Sequence, residues 1–175
     1  METTILTDKF TLRERARKNL DEGAVTEGYS ADLDTAIKLL NEALATEIVC
    51  CLRYRRHYFM ANGVNSEAVK AEFKEHADQE LGHADLLAER IIQLGGEPDL
   101  NPDTLSERSH AEYVEGKSLV DMIKENLVAE RVAIDSYREM IQFFGDKDPT
   151  SRRMLEAILE VEEEHAEDLS SLLGR

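Results

Sequence analysis

Tryptophan is absent, and only two cysteines, three prolines and nine glycines occur among 175 residues. So few helix breakers favour long uninterrupted helices over an all-β plan. Cys50 and Cys51 are neighbours on a predicted helix, where they cannot pair with each other, so no disulfide framework is expected. No apolar run approaches the roughly 18 residues that a membrane-spanning helix needs; Ile48 to Leu52 is among the longest. Residues 1–10 lack a basic stretch followed by an apolar one, so nothing marks the chain for secretion and it reads as cytoplasmic. Positive charge is also scarce: 21 Lys and Arg stand against 37 Asp and Glu, a net charge of −16. Such a surface repels phosphates and attracts cations, which counts against nucleic acid as the main partner.

What the chain does have is apolar spacing of three and four residues sustained over four segments. Leu33, Ile37, Leu40, Leu44, Glu47, Cys51 and Tyr54 share one helical face in the first; Ser30 is the expected N-cap and Asn62-Gly63 the expected end. The second runs from Val69 through Phe73, His76, Glu80, His83, Leu87 and Ile91 to Gly95-Gly96. The third carries Ile123, Leu127, Glu130, Ile134, Tyr137 and Ile141 and closes at Gly145. The fourth carries Leu155, Ile158, Glu162, His165, Leu169 and Leu172, opened by Asp148 with Pro149 at the first helical position. Short turns make two antiparallel hairpins. Residues 97–118 form a long crossover with a short helix expected over Leu105–Val114. The fold class is therefore all-α, a four-helix bundle over residues 30–175. Residues 1–29 read as an N-terminal extension, in which Thr11-Leu12-Arg13-Glu14 is a capping box for a short helix ending near Leu20.

Charged residues sit on the stripes that should face the core. Two Glu-x-x-His units, Glu80–His83 and Glu162–His165, are each preceded by a lone stripe glutamate, Glu47 and Glu130, at 33 and 32 residues. One such unit means little in a chain with 37 acids; two copies, each on an apolar stripe and at nearly equal separation, mean more. The i, i+3 spacing puts carboxylate and imidazole on one face. Bare carboxylates in a core are costly, and two bridged divalent metals remove that cost. Four glutamates and two histidines form the ligand set of a dinuclear carboxylate centre in a four-helix bundle, and this oxygen-rich set suits iron or manganese. Of the other stripe residues, Cys51 reads as a small buried hydrophobe. Tyr54 and Tyr137 read as core aromatics able to hydrogen-bond a ligand carboxylate, and His76 equally as core packing or an auxiliary metal contact. Arg53, Arg55 and Arg56 read as surface or subunit-contact charges. Glu160, Glu163, Glu164 and Glu167 read as a solvated face, while His57 and His110 give no specific reading.

Over residues 31–173, through LNEALATEIVCCLRY (Leu40–Tyr54), EHADQELGHADLLAERIIQL (Glu75–Leu94) and ILEVEEEHAEDL (Ile158–Leu169), the chain resembles the bacterioferritin and Dps-like branch of the ferritin-like superfamily. The resemblance implies a ferroxidase that oxidises Fe(II) with O2 or H2O2 at a dinuclear iron centre and stores Fe(III) inside a homo-oligomeric cage. Glu47 and Glu130 would be terminal carboxylates, Glu80 and Glu162 bridging ones, and His83 and His165 the nitrogen ligands. The family's axial haem methionine is replaced by Leu81, so no haem is expected. Only ten residues follow His165, too few for the fifth helix of 24-subunit cages, and a 12-mer is favoured. The alternatives on the same bundle are a manganese catalase, a rubrerythrin-like peroxidase (whose usual Cys-rich segment two cysteines cannot build) and a DNA-protecting nucleoid protein. Residues 1–20 hold five basic residues against three acidic ones, on a chain that is acidic throughout the rest, so DNA retention at physiological salt is not expected.

Overall fold

The computed structural model describes residues 6–18, 20–64 and 66–174. Residues 1–5 of the basic N-terminal stretch therefore lie outside the described residues. Six α-helices follow in order: α1 Lys9–Lys18, α2 Leu33–Met60, α3 Ser66–Gln93, α4 Leu105–Arg108, α5 Leu119–Phe144 and α6 Pro149–Leu172. A 3-10 turn at Leu20–Glu22 follows α1, and no strand occurs among the described residues. The chain is thus all-helical, with α2 and α3 forming one hairpin and α5 and α6 the other.

The long helices α2, α5 and α6 each begin where a short acceptor side chain satisfies an orphan amide. Ser118 opens α5 by accepting from Asp121 N, and Asp148 opens α6 by accepting from Ser151 N, with Pro149 next. Two caps differ from expectation. Asp32, not Ser30, caps α2, because its carboxylate accepts from Thr35 N at 2.9 Å. Asp8, not Thr11, starts α1, because it accepts from both Phe10 N and Thr11 N, and Thr11 is already inside the helix. In both cases a charged acceptor a few residues away wins over a hydroxyl.

The crossover also departs from the expected Leu105–Val114 helix: only the single turn Leu105–Arg108 is helical. Beyond it the backbone bonds to α2 rather than to itself. His110 N donates to Thr46 Oγ1 at 2.9 Å, Arg53 donates to the Glu112 carbonyl at 2.8 Å, and His57 Nε2 meets the Val114 carbonyl at 3.0 Å. Further back, Asp99 N donates to Asn41 Oδ1 at 2.7 Å. Contacts at 41, 46, 53 and 57 against 99, 110, 112 and 114 show the crossover running alongside α2 in the same direction. It therefore delivers α5 to the far end of α2, antiparallel to it. Gly96 permits the start of this run, since a β-carbon there would meet Ile37 Cγ2 at 2.8 Å.

Arg53 is the clearest correction to the surface reading: it is 1% exposed. Its Nε donates to Asn126 Oδ1 at 2.9 Å on α5 while its Nη1 holds the crossover, so one buried guanidinium ties three segments together. Arg55 and Arg56 do lie at the surface side, bonded to Asp78 and Glu115.

Two apolar clusters fill the bundle. One contains Leu40, Leu44, Leu87, Ile91, Phe144, Leu155 and Ile158. The other contains Tyr54, Phe73, Ala77, Met122, Ile123 and Leu169. The register of the four helices places the charged stripe residues between them, as one polar layer between two apolar clusters. Helix α1 buries no residue; behind it, Tyr29 reaches the bundle by donating to Asp148 Oδ2 at 3.2 Å.

Candidate metal centre

Each long helix contributes to the polar layer: Glu47 from α2, Glu80 and His83 from α3, Glu130 from α5, Glu162 and His165 from α6. All six are buried, none more than 7% exposed. The antiparallel pairing of α2 with α5 and of α3 with α6 brings the two halves of the repeat face to face. Their donor atoms form two groups, Glu47–Glu80–His83–Glu162 and Glu80–Glu130–Glu162–His165, within each of which all lie inside 4.8 Å. Glu80 and Glu162 belong to both. Glu80 turns Oε2 to His83 Nδ1 (3.6 Å) and Oε1 to His165 Nδ1 (3.8 Å). Glu162 likewise offers Oε1 to His83 Nδ1 at 2.8 Å and Oε2 to His165 Nδ1 at 3.9 Å. The six residues singled out from sequence are thus in one place.

These atoms converge without satisfying one another. Both oxygens of Glu80, Oε2 of Glu130, Oε1 of Glu162 and Nδ1 of His165 are buried with no hydrogen-bond partner. The 2.8 Å approach of His83 to Glu162 Oε1 lacks hydrogen-bond alignment, which is why that oxygen counts as unpartnered. An unpartnered buried polar group costs about 1–3 kcal/mol, more when charged, so five at one spot would be a large defect. As a donor set for two cations the same atoms are complementary. His165 is oriented for this: its Nε2–H donates to Gln79 Oε1 at 2.8 Å, which turns Nδ1 toward the carboxylates.

The electrostatics divide the four glutamates into two kinds. Burial, and then the charges of Glu162, Glu47 and Glu130, push the Glu80 carboxyl well above its ordinary range. Burial and the charges of Glu47 and Glu130 do the same to Glu162. For Glu130 burial also opposes ionisation, but His165, Glu162 and Tyr54 outweigh it and hold the group at about 2. Glu47 is lowered in the same way, burial being outweighed by Glu80, His83 and Tyr137. Ionisation is thus favoured at Glu47 and Glu130 and opposed at Glu80 and Glu162 in the metal-free protein.

The tyrosines act across the repeat. Tyr54 of the first half donates to Glu130 of the second, and Tyr137 of the second donates to Glu47 of the first. Burial, and then those carboxylate charges, keep both phenols protonated far above their ordinary range, so they remain donors. Their common position seven residues after each lone glutamate was visible in the sequence; the exchange of partners follows from α2 and α5 being antiparallel. Gln79, one residue before Glu80, carried no such signal. The cysteines are not among the converging donor atoms, and burial pushes the Cys50 thiol up to about 12 and raises Cys51 too.

The profile of the ferritin-like domain matches residues 37–175. The chain belongs to the ferritin-like family. Among its curated relatives are the DNA protection during starvation protein of Pyrococcus furiosus, 29% identical over 85% of this chain and 82% of that one. The bacterioferritin of Desulfovibrio desulfuricans is 26% identical over 74% and 69% of the two chains. Among solved structures, a dodecameric thioferritin, the bacterioferritin-related protein of Bacteroides fragilis, superposes with a TM-score of 0.80. It is 35% identical, over 82% of this chain and 87% of that one. The ferritin-like fold and the Dps and bacterioferritin branch expected from sequence are what these similarities show. The family binds iron, and the buried acid–histidine groups of this member are of a kind that can hold it.

Proposed function

We propose that this ferritin-like protein is a ferroxidase, taking up two Fe(II) ions per subunit as substrate and releasing Fe(III) for storage. The observation that carries the proposal is the convergence of five unpartnered buried donor atoms from four helices on one layer. In this reading Glu47 and Glu130 are terminal ligands, Glu80 and Glu162 bridge, and His83 and His165 supply one nitrogen each. Each Fe(II) gives up one electron. O2 takes both with two protons to become H2O2; if H2O2 is the oxidant it takes both with two protons to become two waters. Tyr137 and Tyr54 hold the terminal carboxylates in place by their hydroxyls, and the apolar clusters on either side limit water at the layer.

The similarity to a dodecameric thioferritin supports a closed homo-oligomeric cage of twelve subunits here. The relatives named for DNA protection raise the nucleoid reading, but the basic helix α1 gives it little support. Arg15 is 3.4 Å from Glu27 and Lys18 is 3.7 Å from Glu14, so part of its charge is already matched, on a chain of net charge −16. Stopped-flow Fe(II) oxidation with each oxidant tests the proposal. The wild type should show a fast phase that Glu47→Ala and His165→Ala largely abolish. Wild-type rates in both variants would reject the assignment.

A further inference from the structure

Outside the six-residue layer, one more acid–histidine group stands together: Glu72 and His76 on α3 with Asp168 on α6. It lies one helical turn along α3 from Glu80 and one turn along α6 from His165, beside the layer but sharing no residue with it. His76 is 2% exposed, whereas the side chains of Glu72 and Asp168 are 39% and 47% exposed. The group thus runs from the solvent to the edge of the metal centre.

The hydrogen bonds fix where His76 keeps its lone pair. Tyr54 gives its only proton to Glu130, so its oxygen can only accept from His76 Nδ1, 3.2 Å away. Nδ1 therefore carries the hydrogen, and Nε2 carries the lone pair. That Nε2 has no hydrogen-bond partner and points between Glu72 Oε2 at 3.7 Å and Asp168 Oδ2 at 3.8 Å. A lone pair facing two carboxylate oxygens is repulsive as it stands. Among the described residues no Lys or Arg lies within salt-bridge distance of either carboxylate to relieve it. Donor atoms bound to one divalent cation sit roughly 3–3.5 Å apart given metal–ligand distances of about 2.1 Å, so drawing together these three atoms, which all lie within 4.8 Å of one another, completes a three-ligand site with one nitrogen and two oxygens. That donor set favours the same class of cation as the neighbouring centre.

We propose that Glu72, His76 and Asp168 form a third divalent-cation site, which takes Fe(II) from solvent and loads the dinuclear centre. The His76 ring stacks on His165 with centroids 3.9 Å apart and planes 20° apart. Its Nδ1 touches the same Tyr54 that holds Glu130, so the ring that would bind an ion at Nε2 is itself packed against the ligands of the centre. The loading role rests on the ferroxidase reading; the binding site does not.

Anaerobic calorimetric titration with Fe(II) alone, on the assembled protein, separates the two. Wild type should bind one equivalent per subunit more than the Glu72→Gln/Asp168→Asn double variant, whose exposed changes leave the six-residue layer intact. Equal stoichiometry in the two proteins overturns the site, whatever the dinuclear centre binds. In stopped flow at less than one Fe(II) per subunit, the double variant should oxidise iron several-fold more slowly. The two proteins should converge when Fe(II) is in large excess. An unchanged rate at low iron overturns the loading role even if the extra equivalent is present.

Discussion

Metal uptake should expel two protons per subunit, and the reason is the unequal ionisation of the four buried glutamates. Glu80 and Glu162 hold their protons because burial and neighbouring carboxylates disfavour their charged forms. Glu47 and Glu130 do not, because hydrogen bonding around them outweighs burial. Two divalent ions bridged by Glu80 and Glu162 require all four as anions, so both protons must leave. Each released proton makes affinity rise about tenfold per pH unit. The pair therefore gives about a hundredfold, or about 2.7 kcal/mol, per unit over the range above the ordinary carboxylate values in which both stay protonated without metal. The metal-free protein should respond with the opposite sign. A raised folded-state pKa contributes stability that is fully present below the ordinary carboxylate range and is lost as pH climbs through the folded value. The gap in Tm between loaded and metal-free protein should therefore widen as pH rises. Glu47 and Glu130 act in a separate window, since their lowered values stabilise the fold above the ordinary carboxylate range and lose that effect only in strong acid. Anaerobic calorimetry with Fe(II), repeated in buffers of different ionisation enthalpy, counts the protons. Release of fewer than about half a proton, or an affinity flat across that range, would refute the assignment of the protonated pair.

Arg53→Ala should destabilise the metal-free protein by about 2–4 kcal/mol, because it strands the Asn126 Oδ1 and Glu112 carbonyl acceptors and opens a cavity. A Tm within a degree of wild type would show that the buried guanidinium does not pin the crossover. Protein produced with ample haem should show no Soret band in proportion to subunits. Leu81, 41% exposed on α3, offers no donor atom, and a stoichiometric band with thioether ligation would contradict this. Native mass spectrometry should give a 12-mer, and a gel shift at about 150 mM salt should show no DNA retention. A 24-mer, or a shift abolished by deleting residues 1–20, would overturn those two expectations respectively.

The parts legible in the sequence were those encoded by short periods. Spacing of three and four residues located the four long helices, and two Glu-x-x-His units on those stripes located the polar layer before any coordinates. What escaped was set by distant partners. Arg53 looked like one of three surface arginines until Asn126 and the Glu112 carbonyl, from other segments, enclosed it. Leu105–Val114 had a helical pattern, yet its backbone beyond Arg108 found better acceptors and donors along α2. Ser30 and Thr11 were reasonable caps, displaced by nearby aspartates whose charge suits a helix N-terminus. Tyr54 and Tyr137 were recognised as able to reach ligand carboxylates, but which carboxylate each reaches depends on the direction of α5, which only the crossover decides.

The central claim is that Glu47, Glu80, His83, Glu130, Glu162 and His165 hold a pair of iron ions between them. Anomalous diffraction at the iron edge, from crystals soaked in Fe(II) under strict anaerobiosis, tests it most directly. Two peaks per subunit are expected within the layer, about 3.5–4 Å apart, one beside His83 and one beside His165, with Glu80 and Glu162 between them, distinct from any third peak at Glu72, His76 and Asp168. A single peak in the layer, or iron bound only elsewhere with the layer between the apolar clusters free of anomalous density, would contradict it.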